Sequence, residues 1–167
     1  MSQETTTCVR LARPGDVAQI VPLWRELMEF HRLRDPFFTP RPGGENEFAG
    51  FLTKNMADSK CCVLVAEQNG RIIGYTQGMI EKYPPVLQLA QYGHVMDLAV
   101  TEQRRRTGVG RRLVADLLRW FEAKGVVRTE VRMSVKNDIS MRFWQSMGFR
   151  PYLQTSFRTI EVSQPRS

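Results

Sequence analysis

The chain is predicted to be an α/β protein built on one mixed sheet, and three observations predict it. Apolar runs with a period of two alternate with stripes recurring every three or four residues. Asn69-Gly70 marks a tight hairpin between two of the strand-like runs. A loop rich in arginine and glycine joins a further strand to a strongly amphipathic helix. The resulting order is strand, two helices, three strands, helix, strand, helix, strand. No internal repeat, low-complexity tract or linker divides the 167 residues, so one domain spanning 1–167 is expected.

Each element has a local cause. Cys8 to Leu11 is short and strand-like, closed by Pro14-Gly15. Asp16, with Gln19 three residues later, has the spacing of a capping box. Val17, Ile20, Trp24, Leu27 and Met28 then fall on one helical face as far as about His31, with Pro22 a candidate kink. Residues 35–44 carry three prolines and two glycines and read as an irregular connection. Phe48, Phe51, Leu52 and Met56 form a second amphipathic stripe.

The hairpin follows. Cys61 to Ala66 runs up to Gln68-Asn69-Gly70, and Arg71 to Ile80 returns. Tyr83-Pro84-Pro85 interrupts before the strand His94 to Val100. From Gly108 the positions Val109, Leu113, Leu117 and Phe121 repeat every four residues, widened by Val114 and Leu118 and ended by Gly125. Val126 to Val135 alternates as a strand. Asn137 or Asp138 to Met147 makes a short helix stopped by Gly148, and Tyr152 to Val162 supplies a last strand or pair of strands.

Composition removes several classes of function. No apolar run approaches the ~20 residues that span a bilayer, and no apolar core follows a basic start at the N-terminus. Three cysteines, two of them adjacent, make neither a disulfide framework nor a metal-binding C-x-x-C pair. A reducing cytoplasm and no metal are the expectations. The net charge of +7 suits nucleic acid, an acidic membrane or an anionic small ligand. Its distribution favours the last, because five arginines lie within Arg104 to Arg112. A nucleic-acid role for the following helix is opposed by its apolar stripe, which must pack on a sheet, and by the lack of a recurring aromatic-plus-basic pattern.

The loop itself is Arg104-Arg105-Arg106-Thr107-Gly108-Val109-Gly110-Arg111-Arg112. A helix N-terminus offers unpaired N–H groups and a positive dipole end, so phosphate settles there. A Walker loop would need a Gly-Lys-Ser/Thr ending that is absent, and a dinucleotide fingerprint would need glycine where Leu113 stands. What remains is Arg105-Arg106-Thr107-Gly108-Val109-Gly110, of the form Arg/Gln-x-x-Gly-x-Gly/Ala.

That loop is preceded by Met96-Asp97-Leu98-Ala99-Val100 and followed by Asn137 and Phe143-Trp144-Gln145-Ser146-Met147-Gly148-Phe149. Together these pieces resemble the GNAT superfamily of acyl-CoA-dependent N-acyltransferases, and the resemblance spans most of the chain. It implies a mixed, mostly antiparallel central sheet flanked by helices, with a splayed strand pair at the CoA site. It implies acetyl-CoA as acyl donor and a primary amine as acceptor, a small molecule being favoured over a protein N-terminus or lysine. The alternative is a non-catalytic acyl-CoA-binding or regulatory module. A homodimer through the final strands is compatible with the pattern.

Carried over by position, the resemblance assigns the pyrophosphate to backbone N–H groups from Arg106 through Thr107, Gly108, Val109 and Gly110 to Arg111, within the loop that Arg105 opens. Arg104, Arg111 and Arg112 are further candidates for the phosphates. Leu98 and Val100 would meet the pantetheine arm with backbone groups, with Ala99 between them, and Asn137 would hold it from the other side. The Leu98 N–H is a candidate oxyanion donor. An ammonium has no lone pair, so a base is needed. Asp97 and His94 both lie on the right strand, but with opposite parity, so a bulge is required for them to face one side. Trp144 stands where members with a general acid carry tyrosine, and an indole N–H has no useful acidity. It would pack against the acyl or cysteamine end, leaving Tyr152, Ser140 or water as proton donor, or an enzyme that needs no dedicated acid. Glu29, His31 and Asp35 are the thin candidates for the acceptor side, and Phe37-Phe38 are expected to pack in the core, with a mobile apolar lid as the alternative.

Overall fold

In the computed structural model, which describes residues 7–160, five strands lie side by side in sequence order. They are β1 (Cys8–Leu11), β2 (Cys61–Gln68), β3 (Arg71–Lys82), β4 (Gln91–Val100) and β5 (Thr129–Val131). Neighbours run antiparallel except β4 and β5, which are parallel. The β2–β3 hairpin turns through Asn69 (φ 52°) and Gly70 (φ 75°). Two consecutive left-handed residues match the right-handed twist of the strands they join.

Helices cover both faces, because alternate residues of the central strands are apolar on both sides. Cys62, Leu64 and Ala66 of β2 meet Leu113, Val114, Leu117 and Phe121 of α3 (Val109–Ala123). Trp144 of α4 (Asp138–Ser146) closes the same cluster. Val63 and Val65 point the other way, with Tyr75 and Ala99, towards Ile20 and Leu23 of α1 (Val17–Arg32) and Phe48 and Leu52 of α2 (Gly44–Ala57). Fully burying each of the valine, leucine, isoleucine and phenylalanine side chains among these contributes about 1.5–3 kcal/mol before chain entropy is charged against it.

Several local expectations are corrected by tertiary partners. The capping box at Asp16 and Gln19 does not form. Asp16 Oδ2 accepts from the Arg13 N–H and from Arg10, each at 2.7 Å, while Gln19 Oε1 accepts the Ile72 N–H at 3.0 Å. A half-buried guanidinium and a strand amide outcompete the helix's own first turn. The helix nevertheless continues through Pro22 to Arg32.

The strand expected over 126–135 shrinks to Thr129–Val131, since β4 offers it partners only at Gly93–Val95. Val127 and Val135, counted as strand residues, are exposed. The final strands expected over 152–162 are absent from 151–160, and 161–162 lie outside the described residues. A three-residue β5 offers little edge to pair with, and Tyr152, Leu153, Phe157 and Ile160 stay exposed. The strands expected to join two copies are therefore not formed within the described residues.

Candidate active site

The arginine-glycine loop is shaped by two left-handed residues, Arg106 (φ 62°) and Gly108 (φ 88°). A residue with a side chain rarely adopts that conformation. The first α3 bond is Arg112 N–H to the Gly108 carbonyl at 3.1 Å, and no side chain caps the helix. Among the described residues, the N–H groups from Arg106 to Arg111 have no acceptor. Six donors gathered at a positive helix end form an anion cradle.

The arginines divide by partner. Arg105 Nε donates to the Val100 carbonyl at 3.1 Å, with Glu26 at 4.0 Å. Arg111 holds Ser146 Oγ at 2.8 Å, and Arg112 holds the Thr7 carbonyl at 2.7 Å. The side chains of Arg104 and Arg106 make no hydrogen bond or ion pair among the described residues. Their charge is left for solvent or an anion.

Beside the cradle, one edge of β4 is open. Because β5 pairs only with Gly93–Val95, residues 96–100 face no strand on that side. Thr101 N–H donates to the Ile73 carbonyl at 2.9 Å, towards β3. Backbone direction alternates, so Leu98 and Val100 aim their N–H and C=O groups at the open edge. Ala99, only 7% exposed, packs with the α1 and α2 cluster.

The parity conflict between the two base candidates is removed by a bulge. Asp97 pairs with Gln77 and Val95 with Gly78, which leaves Met96 as an extra residue on β4. Val95 and Gly93 then meet the α3 cluster, so His94 and Tyr92 share the opposite face with Asp97. Asp97 Oδ2 accepts from Gln77 Nε2 and, at 3.4 Å, from the Tyr75 hydroxyl. The Thr76 hydroxyl holds its carbonyl at 2.7 Å, and Gln77 Oε1 accepts from Asn55 at 3.0 Å. Burial raises the Asp97 pKa above the ordinary carboxylate range, opposed by Gln77, Tyr75 and the nearby imidazole.

His94 Nδ1 lies 2.6 Å from Glu81 Oε1, and the Tyr92 hydroxyl donates to Glu81 Oε2 at 2.5 Å. Opposite His94 on β5 stands Glu130, which accepts from Arg128 Nε at 2.9 Å and from the Tyr83 hydroxyl. Glu81, Tyr92 and Glu130 escaped the sequence reading, because only strand pairing brings them beside His94. The odd positions Tyr75, Gln77, Met79 and Glu81 on one β3 face were the available signal.

The remaining candidates scatter. Asn137 is buried, and its Oδ1 accepts the Ser140 N–H at 3.0 Å as the α4 cap. Trp144 is 5% exposed and packs edge-on against Phe143 and Phe149 in the core. Glu29 pairs with Arg32, His31 stacks near Phe38, and Asp35 binds Lys136 Nζ at 2.9 Å. Those three do not converge. Phe37 is 84% exposed and so is no core residue. Burial pushes the Cys62 thiol up to about 12, which leaves it inert. An apolar hollow of about 420 Å³ between α1 and α2, lined by Trp24, Met28, Phe48 and Phe51, shares no residue with the cradle or the open edge.

Comparison with known proteins gives a consistent result. The model of the Acetyltransferase (GNAT) family matches residues 24–149. An N-alpha-acetyltransferase of Sulfurisphaera tokodaii is 27% identical over 147 residues, 85% of this chain and 79% of that protein. For further curated relatives the chain spans 38% to 65% of their own length. Among solved structures, a tetramutant of the BH1408 protein from Bacillus halodurans superposes with a TM-score of 0.82 at 24% identity, covering 92% of this chain and 99% of that one. The aminoglycoside N-acetyltransferase AAC(6')-Iy in complex with CoA gives 0.75 at 16% identity, covering 97% and 99%. At those identities the structures speak for the fold.

Proposed function

This chain belongs to the Acetyltransferase (GNAT) family and is an acetyl-CoA-dependent N-acetyltransferase, and from that premise we propose that its acceptor is the primary amine of a small molecule, acetylated by direct transfer. The observation that carries the reading is the Met96 bulge, which gathers His94 and Asp97 on one face beside the open β4 edge. The ion pair between Asp35 and Lys136 supports a small acceptor, since it ties the connection after α1 to the loop before α4. Such a tie favours a confined entrance over a groove for an extended chain.

In this reading the N–H groups from Arg106 to Arg111 hold the CoA pyrophosphate, with Arg104 and Arg106 adding charge. Leu98 and Val100 pair with the pantetheine amides as an added strand would, once Arg105 gives up the Val100 carbonyl. The Asn137 amide nitrogen supplies a further donor, because its oxygen is committed to the α4 cap. The Leu98 N–H stabilises the oxyanion of the tetrahedral intermediate. His94 takes the proton that the ammonium must lose before its lone pair can attack the thioester carbon. Asp97, held by Gln77 and Tyr75, lies on the same face, as a second carboxylate near the imidazole. Trp144, held in the core, gives no proton, so the departing thiolate collects the one released from the amide nitrogen, directly or through water.

Thiol release from acetyl-CoA tests the reading, with neamine, spermidine, free lysine and a short peptide with a free N-terminus as probe amines. Turnover of a small amine is expected, with His94→Ala lowering kcat roughly 10²–10⁴-fold. The relative from Sulfurisphaera tokodaii favours a second reading, acetylation of protein N-termini. Preference for the peptide would establish it instead. CoA binding with no turnover of any amine would leave the non-catalytic alternative.

A further inference from the structure

We propose that Glu81 is the positioning residue for His94, fixing the imidazole with its proton on Nδ1 and leaving Nε2 as the acceptor for the amine's proton. The proposal rests on the reading of His94 as base. Its geometry is a carboxylate–imidazole contact of 2.6 Å between Glu81 Oε1 and Nδ1, made diagonally across the β3–β4 ladder. A contact this short between a carboxylate oxygen and a ring nitrogen needs one proton between them.

Burial works against the Glu81 charge, but the Tyr92 hydroxyl, His94 and Arg132 outweigh it and hold its pKa below the ordinary range. Glu81 is therefore ionised at neutral pH and can only accept. The shared proton belongs to Nδ1, and a neutral ring then carries its lone pair on Nε2.

The carboxylate is itself held. Its second oxygen accepts from Tyr92 at 2.5 Å, and the Tyr92 ring stacks on Tyr83 with centroids 4.5 Å apart. The Tyr83 hydroxyl is tied to Glu130 on β5. The charged groups around the ring are thus Glu81 on β3, Asp97 on β4, Glu130 on β5, and Arg128 and Arg132, which flank β5 on either side. Of these anions, Glu81 is the one in hydrogen-bond contact with the imidazole.

The chain has two histidines, so ¹⁵N-histidine labelling gives two ring systems, and His31→Gln assigns them. At about pH 8.5, where an ordinary imidazole is neutral, the wild-type His94 ring is expected as the Nδ1–H tautomer. Glu81→Gln is expected to shift it towards a mixture, and Glu81→Asp to restore part of the wild-type pattern. Tyr92→Phe removes a hydrogen bond of the same cluster but keeps the Glu81–His94 contact, so its tautomer should match wild type. With the probe amine that turns over, Glu81→Gln should lower kcat about 10- to 100-fold with the KM for acetyl-CoA unchanged.

A wild-type ring that carries its proton on Nε2, or a tautomer unmoved by Glu81→Gln, overturns the proposal. An equal shift in Tyr92→Phe also overturns it, since the cluster would then be acting as packing. Should the tautomer shift as expected while His94→Gln retains wild-type turnover, the reading of His94 as base falls, and the positioning of its ring by Glu81 stands.

Discussion

His94 and Asp97 are three positions apart on β4 and face the same side of the sheet, because Met96 between them has no partner on β3. A regular strand would have sent one of them into the α3 core. The bulge also separates two environments. His94 is held by Glu81, while Asp97 is held by Gln77 and Tyr75.

Two carboxylates should give stability opposite dependences on pH. Arg10 holds Asp16 below its ordinary value of 3.8, so the stability that Asp16 contributes is complete above that value and is lost as pH falls through the lower, folded one. Burial raises Asp97 above 3.8, so its contribution is complete below that value and is lost as pH rises through the higher, folded one. Urea midpoints measured from pH 3 to 8 should show Asp16→Asn destabilised by about 1–2 kcal/mol at neutrality, with the gap closing in acid. For Asp97→Asn, wild type should lose ground to the variant as pH rises. Parallel slopes for the two variants would contradict this assignment.

Gly93 is where β4 meets α3. A Cβ there would lie 2.7 Å from Cδ1 and Cε1 of Phe121, against ring atoms that cannot swing away. Gly93→Ala should destabilise by about 1–3 kcal/mol. Phe121→Leu in the same chain should recover part of that loss, seen as a favourable coupling in a double-mutant cycle by urea unfolding.

Asn137 offers a separation of stability from ligand binding. Asn137→Ala removes the α4 cap and should lower stability by about 1 kcal/mol. Asn137→Asp keeps a capping oxygen but loses the amide nitrogen, so its thermal midpoint should stay near wild type. If that nitrogen holds the pantetheine, calorimetry should show weaker CoA binding in both variants. Wild-type affinity in Asn137→Asp would confine Asn137 to capping.

The local readings succeeded where short-range chemistry decides. The Asn69-Gly70 turn, the α3 stripe from Val109 to Phe121 and the stop at Gly125 follow from φ preferences and helical spacing, and all three are present. The reading failed where a residue's partner lies far along the chain. Gln19 was read as half of a capping box but accepts from Ile72, 53 residues away. Val126 to Val135 alternates like a strand, yet β4 pairs with only three of its residues.

The same division holds at the site. The sequence by itself determined the cradle, because a glycine-containing turn into an amphipathic helix leaves N–H groups unpaired whatever surrounds it. It also placed Leu98, Val100 and both base candidates on the strand leading there. Only the tertiary structure decided that Met96 bulges, that His94 and Asp97 therefore share a face, and that Glu81 holds the ring. Those outcomes depend on register between β3 and β4. Register is set by the summed packing of two sheet faces, and no single stretch of sequence carries it.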